Sequence, residues 1–339
     1  MRQGAGIRIR GAEAGLCAVV LLCASAAGCA AAVRSNAPLS RTDFALDTTV
    51  TVTVYGAREE TLLDDCFALL DEYEGLFSRT REGSDVWRVN HAGGAPTAVS
   101  PATCELLRLA LEAGEKSAGA FDVTIAPASS LWDFTAADPA VPSEEALAAA
   151  AAKVDYRRVT VDQRTATVTL AGDGTQIDLG GIAKGYIADR LADYLTEKGV
   201  SSALLDLGGN IYVLGKKSGR PWRVGIRDPQ NPQGLAAMVE AENASVVTSG
   251  VYERGFTVNG VGYHHILDPA TGKPVRNGLA SVTIVSDKSA QCDALSTACF
   301  VLGEEAGMQL VDSLAGVEAL FIREDGTLVA SKGLVYEVK

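Results

Sequence analysis

Between Ser289 and Gly303 the chain reads SAQCDALSTACFVLG, and Asp293 is its single charged side chain. At a helical step of about 100° per residue, Leu295, Ala298 and Leu302 form one apolar stripe, while Ala290 and Phe300 make the other side apolar too. A helix apolar nearly all round belongs inside a core, so the rest of the fold has to cover it. Asp293 and Thr297, spaced i and i+4, share one side of this helix. A buried carboxylate without a partner costs several kcal/mol or more, so Asp293 is expected to be paired, protonated or bound to a cation. Carboxylate and hydroxyl oxygens on one face make a hard-cation half-site, suited to Mg²⁺ rather than zinc. The other reading is an Asp near a helix start that caps it or bonds its neighbours.

The chain has 339 residues, of which 47% are hydrophobic and 21% charged, as expected of a soluble globular protein with a substantial core. Its net charge of −12 repels nucleic acid and anionic lipid, so no nucleic-acid partner is expected. A phosphate-bearing ligand must therefore be held by local amides, a local cation or a metal. Arg2, Arg8 and Arg10 precede an uncharged run from Ala14 to Val33 that is most apolar at Leu16–Leu22. That pattern is a secretory signal rather than a spanning helix. Ser25-Ala26-Ala27-Gly28-Cys29 is similar to a bacterial lipobox, with Ala26 where Leu is usual. Ordinary small-residue cleavage nearby is the alternative. The expected division is a signal peptide at 1–28, a lipid-anchored tether at 29–42 and one domain at 43–339, outside the cytoplasm and anchored to the membrane. Beyond the signal and Cys29, Cys66, Cys104, Cys292 and Cys299 sit in helical patterns without CxxC spacing or a nearby His. Free buried thiols are expected, and no zinc.

Along the chain, Phe44–Gly56 alternates Thr and Val as a strand does, and Thr61–Phe77 has helical periodicity. The segment 77–90 is polar and reads as loop; Ser100-Pro101 opens a helix; 121–127 reads as strand; Ser143 caps an alanine-rich helix. Ile177-Asp178-Leu179 reads as a strand entering the turn Gly180-Gly181, with a helix following to Lys198. Ala203–Leu207 reads as a strand that continues through Gly208-Gly209 into Ile211–Leu214. Each glycine pair lets backbone amides approach a ligand, although a tight turn needs glycine anyway. Two of the three histidines, His264 and His265, are adjacent, and on a strand they point to opposite faces, so at most one serves a given site. Strands and helices alternate irregularly, with several hairpins and no internal repeat. This favours one α+β domain in two lobes over a doubly wound sheet.

Several short motifs then fall in one order: Phe121-Asp122-Val123-Thr124, Asp178-Leu179-Gly180-Gly181-Ile182-Ala183-Lys184-Gly185, Gly208-Gly209, Thr248–Arg254, His265-Ile266-Leu267-Asp268-Pro269-Ala270-Thr271-Gly272 and Asp293–Ala298. Together they resemble the ApbE family, bacterial FAD:protein FMN transferases that are often lipoproteins. The resemblance implies a compact two-lobed α+β domain with mixed and antiparallel sheets and FAD between the lobes. It implies Mg²⁺-dependent cleavage of the FAD pyrophosphate, release of AMP and attachment of FMN to a threonine of an acceptor flavoprotein. Position by position, Asp293 and Thr297 would bind Mg²⁺ through side chains and Ala183 through its carbonyl. Asp178, Gly180, Gly181, Lys184, Gly208, Gly209, Ser249, Gly250 and Arg254 would line the FAD site. His265 is the candidate base for the acceptor hydroxyl, its unperturbed pKa lying near working pH. The family's early Met-Gly-Thr reads Leu46-Asp47-Thr48 here. Two other readings share these residues: an FAD pyrophosphatase making FMN and AMP, and a flavin-holding lipoprotein without turnover. The Asp293/Thr297 pair argues against pure storage.

The lipobox reading makes Cys29 the acylated first residue of the mature protein. Mass spectrometry of the mature chain is expected to show diacylglycerol on an N-terminal Cys29; a free N-terminus elsewhere, with Cys29 removed or unmodified, overturns it.

Overall fold

The alternating Thr and Val residues form the second of two strands rather than one long one. The computed structural model describes residues 37–339 apart from 58 and 137, so the signal, Cys29 and most of the expected tether lie outside the described residues. Strand β1 (Leu39–Ala45) takes in the last four residues expected of the tether and pairs antiparallel with β2 (Thr48–Val54). Leu46 and Asp47 turn the hairpin with φ of 54° and 56°. Helix α1 (Thr61–Phe77) follows as expected. The segment taken for loop contains α2 (Asp85–His91): Ser84 caps it by accepting from the Trp87 amide at 2.9 Å, and only Asp85, Val86 and Val89 are buried. So narrow a buried face leaves little periodicity to detect.

After β3 (Thr97–Ala98) comes α3 (Pro101–Lys116), with Ser100 as its cap. The stretch expected as a strand at 121–127 is instead a turn leading into α4 (Ala126–Ser129). Asp122 Oδ1 accepts from the Thr124 amide at 2.8 Å and from its hydroxyl at 2.6 Å, a local capture of backbone that competes with strand pairing. Then come α5 (Glu144–Ala151), β4 (Val159–Asp162), β5 (Thr167–Leu170) and α6 (Ala183–Glu197). Before α6, Ile177–Leu179 is extended but not in a sheet; the Asn90 side chain holds it by bonds to the Ile177 amide (2.7 Å) and carbonyl (2.9 Å).

β6 (Ser202–Leu207) does not continue into β7 (Asn210–Gly215) but folds back against it. Gly208 and Gly209, with φ of 66° and 91°, supply the positive φ that a two-residue hairpin turn needs. The remaining elements are β8 (Trp222–Arg227), β9 (Leu235–Ala241), β10 (Ala244–Gly250), β11 (Gly255–Val258), β12 (Val261–His264) and β13 (Leu279–Ser286). Helix α7 (Ser289–Asp312), β14 (Glu318–Arg323), β15 (Leu328–Ala330) and β16 (Tyr336–Val338) complete the chain.

Eight strands form the main sheet in the order β1-β2-β6-β7-β10-β13-β14-β15, every neighbouring pair antiparallel. Around β13 and β14 both its faces are buried, and strand alternation decides which residue faces which layer. Ala319 and Phe321 of β14 pack with Leu295, Cys299 and Phe300 of α7. Leu320 and Ile322, one step out of phase, pack with Trp222, Val224 and Val239 of the small sheet β16-β9-β8. Residues 37–339 thus make one compact α+β unit. Among them no helix is long and apolar enough to cross a membrane. Cys66, Cys104, Cys292 and Cys299 are buried and free, and burial pushes the thiols of Cys66, Cys292 and Cys299 up to about 12.

The expected buried helix is α7, whose first half is buried except at Gln291, Thr297, Val301 and Leu302; Gly303, at φ 82°, breaks it before the second half. Its start crosses α6 at closest approach beside Gly185, where an added Cβ would lie 2.2 Å from the Ser289 carbonyl oxygen. Gly185→Ala therefore gains about 1 kcal/mol of helix propensity but forces the two helices apart. A net loss of about 2 kcal/mol or more in urea unfolding is expected, against a near-neutral Gly262→Ala, where nothing lies within 4 Å. Equal stability of the two variants would show that the crossing is not tight.

Candidate active site

Two helix starts meet at this crossing, and the residues expected at a metal-phosphate centre lie on them. Ala183, Lys184 and Gly185 are the first three residues of α6, where unpaired amides and the helix dipole favour negative charge. Asp293 supplies that charge from α7. It is 4% exposed; its Oδ2 accepts from the Gly185 amide at 2.9 Å, and its Oδ1 lies 3.8 Å from Lys184 Nζ. Asp293 is thus a helix cap, although for α6 rather than for its own helix, and its second oxygen faces the Lys184 ammonium.

Thr297 lies one turn further along α7. Its hydroxyl is 3.3 Å from that of Ser249 on β10, and the Ser249 hydroxyl is 2.8 Å from that of Ser296. A Cβ built on Gly181 would sit 3.1 Å from a ring carbon of Phe121 and 3.9 Å from Thr297 Oγ1, so the glycine turn passes close to the α7 face. Gly250 is small for another reason, since the Tyr252 ring lies 2.8 Å from where its Cβ would be.

The donor set fits a hard cation in part. One carboxylate oxygen is free of amide bonds, a hydroxyl stands on the same helix face, and the first turn of α6 abuts both. Among the described residues no three His, Cys, Asp or Glu side chains converge, so a cation here would have to complete its shell with substrate oxygens and water. That is the usual state of Mg²⁺ at phosphate-cleaving sites.

His265 is held just beyond β12 by its backbone amide and Nδ1, which lie 3.2 and 3.4 Å from the Arg254 carbonyl. Burial lowers its pKa to about 4, and the Lys184 charge adds to the shift. The expected value near working pH is thus corrected: a half-buried imidazole beside an ammonium is neutral throughout the neutral range. His264 points elsewhere, as adjacent residues must. Its Nε2 lies 2.8 Å from the Val275 carbonyl, its ring meets Phe300 edge-on at 5.8 Å, and burial lowers its pKa as well.

Other expected ligand residues are committed to the protein. The Gly180 amide donates to Asp178 Oδ1 at 2.9 Å and the Gly209 amide to Asp206 Oδ1 at 3.2 Å, so neither is free for a phosphate. Gly208 packs on the β1–β2 hairpin, where its Cβ would lie 2.1 Å from Thr48 Oγ1. Asp178 Oδ2 pairs with Arg79 Nε at 3.2 Å and accepts from the Ser129 hydroxyl at 3.2 Å. Arg254 is exposed and reaches the Asp47 carbonyl at 3.3 Å, which ties the β1–β2 turn to the loop of His265. Arg79 and Ser129 were not foreseen, and Phe121 and Ser296 stand in the quoted motifs without having been given a role there. Arg79 and Asp178 are far apart in sequence and nothing local links them; Phe121 stands in a recognised motif and was readable there.

The antiparallel α+β fold is one shared with solved flavin transferases. The fold matches the ApbE protein of Thermotoga maritima with a TM-score of 0.81 at 34% identity, covering 87% of this chain and 97% of that one. It matches flavin transferase ApbE of Vibrio cholerae at 0.78 and 30%, with the same coverage. The ApbE family model matches residues 46–321, and the chain belongs to the ApbE family. It is 41% identical over 320 residues to the FAD:protein FMN transferase of Treponema pallidum (strain Nichols), covering 88% of each chain.

In the protein without ligand, the His265 imidazole is expected to titrate near pH 4 by NMR; a midpoint between 6 and 7 would place it in water. His264→Ala should cost about 1–3 kcal/mol of stability through its lost bond and ring contact, contrary to a surface residue. A silent His264→Ala would mean that these contacts carry no weight.

Proposed function

We propose that this protein is an Mg²⁺-dependent FAD:protein FMN transferase. The observation that carries this reading is Asp293, buried between Lys184 and the start of α6 and one helical turn from Thr297. The substrate is a dianionic pyrophosphate, the protein as a whole is at −12, and this is where the fold gathers positive potential: a lysine and a helix start. Asp293, Thr297 and the Ala183 carbonyl would hold Mg²⁺. When bound, the metal would neutralise phosphate oxygens and ease departure of the leaving phosphate.

In the reaction, the acceptor threonine Oγ forms a bond to the phosphorus on the flavin side of the pyrophosphate. The bond from that phosphorus to the bridging oxygen breaks, and AMP leaves with that oxygen. The threonine proton passes to His265, which is neutral at working pH and so able to accept it. Lys184 would meet the phosphate oxygens as a point charge. Arg254 and the hairpin turn at Leu46–Asp47 would border the flavin end. An acylated Cys29 would tether the domain to the membrane, and β1 begins ten residues beyond it at Leu39. The acceptor is then a membrane or extracytoplasmic flavoprotein subunit.

Incubation with FAD, Mg²⁺ and a candidate acceptor subunit, read by in-gel flavin fluorescence and AMP release, tests this. Asp293→Asn keeps an oxygen for the Gly185 amide but removes the charge. It should lower transfer by about 10²–10³-fold, the several kcal/mol a metal supplies. His265→Ala should lower it by about 10²–10⁴-fold with little change in FAD affinity. Because a base must be neutral, wild-type transfer should be flat from pH 6 to 8 and fall only as pH drops towards 4. FMN and AMP formed equally fast without an acceptor would identify a pyrophosphatase instead. Normal turnover by Asp293→Asn would remove the metal assignment.

A further inference from the structure

Helices α6 and α7 open with the same spacing: Lys184-Gly185 with Asp189 and Leu191, and Lys288-Ser289 with Asp293 and Leu295. In space each aspartate serves the other helix. Asp293 of α7 caps α6 through the Gly185 amide. Asp189 of α6 caps α7: its Oδ1 accepts from the Ser289 amide at 2.8 Å and its Oδ2 from the Ala290 amide at 2.9 Å. We propose that Asp189 is a positioning residue for the candidate metal face, fixing the start of α7 and thereby the places of Asp293 and Thr297. The inference rests on the metal reading of that face.

The bonding pattern calls for a carboxylate. Two amide donors meet two acceptor oxygens, whereas an asparagine offers one oxygen and turns an NH₂ towards the second amide. Lys288 at the N-cap makes no such bond, and the Ser286 hydroxyl accepts from the Lys288 amide at 3.2 Å rather than from the first amides of the helix. A salt bridge does not account for Asp189 either: among the described residues no Lys or Arg nitrogen lies within 4.0 Å of it. Burial raises its pKa to about 6, against the opposing effect of the two amides, so the carboxylate sits in a poorly hydrated place for the sake of those bonds. The same end of α7 is held to the sheet by Ser289, whose hydroxyl donates to Asn210 Oδ1 at 2.8 Å. The far half of α7 is separated by the break at Gly303, so loosening its start need not disturb the rest.

The test compares Asp189→Asn with Val311→Ala, a buried truncation in α7 beyond Gly303, at temperatures where both are folded. Mg²⁺ affinity is measured by calorimetry and amide exchange by mass spectrometry. Asp189→Asn should weaken Mg²⁺ binding by about 10–100-fold, the usual effect of losing a residue that orients a ligand. Exchange should speed up across residues 289–297 and stay unchanged after Gly303. Val311→Ala should leave Mg²⁺ affinity where it is. Unchanged affinity in Asp189→Asn, or an equal loss in Val311→Ala, overturns the proposal. Should Asp189→Asn not fold, Asp189→Ser, which keeps one short acceptor, carries the same comparison. If the wild type binds no Mg²⁺ at all, the metal reading fails, and unchanged exchange across 289–297 in the variant would still overturn the positioning role.

Discussion

Everything at the candidate site depends on how closely α6 and α7 approach. With no side chain at Gly185, the Ser289 carbonyl and the Ala290 backbone lie where a Cβ would be, and the two helix starts point their free amides into one small region. Such an arrangement is electrostatically unstable unless anionic groups enter it. The protein provides Asp293 and Asp189 from within, and on the function proposed above the substrate phosphate would be one more anion beside Thr297 and Ser249. The helix dipoles, the lysine and the carboxylate then act together in a region with little water, where each is worth more than on the surface.

The surrounding fold explains why this region stays rigid. α7 lies against the sheet, whose opposite face is covered by β8, β9 and β16, so the helix carrying Asp293 is backed by two layers. Ser249 comes from β10, next to β13, on the same sheet that α7 packs on. The loop of His265 is anchored on both sides: the His265 amide bonds the Arg254 carbonyl, and Ile266 and Leu267 are buried in two apolar clusters. On the function proposed above, a metal face backed by two layers would suit a reaction in which a small substrate must be held while a protein acceptor comes and goes.

What the sequence made legible follows from how local each signal is. The α7 pattern needed only 3.6-residue periodicity, and Asp293 with Thr297 came out on one face as read. α2 was lost because its buried face is only Asp85, Val86 and Val89, too short a run to reveal a period. The strand expected at 121–127 was lost to Asp122, whose side chain binds its own backbone. The glycine pairs were read as amide donors, yet Asp178 and Asp206, two and three residues upstream, accept from one amide of each pair, those of Gly180 and Gly209. Both carboxylates were in view in the sequence; what was missing was the turn geometry that brings them back. Arg79 beside Asp178 had no local signal at all. The spacing shared by Lys184–Leu191 and Lys288–Leu295 was there to be seen, but a match of so few residues only acquires meaning once the helices are known to cross.

The departure at residues 46–48 can now be argued from backbone geometry. Where the resemblance leads one to expect Met-Gly-Thr, the chain has Leu46-Asp47-Thr48, and both Leu46 and Asp47 adopt positive φ. Glycine would take that conformation freely; aspartate tolerates it better than most residues, and leucine poorly. The turn is held nonetheless, since the Leu46 amide donates to Glu74 Oε2 at 3.2 Å and the Asp47 carbonyl accepts from Arg254. Thr48, which keeps its expected identity, packs its hydroxyl into the space left by Gly208. Leu46 and Asp47 thus hold the hairpin at some cost in strain, and Arg254 reaches the backbone of Asp47 rather than its carboxylate. The tie between Arg254 and the β1–β2 turn therefore runs through a main-chain carbonyl, which residue 47 supplies whatever its side chain.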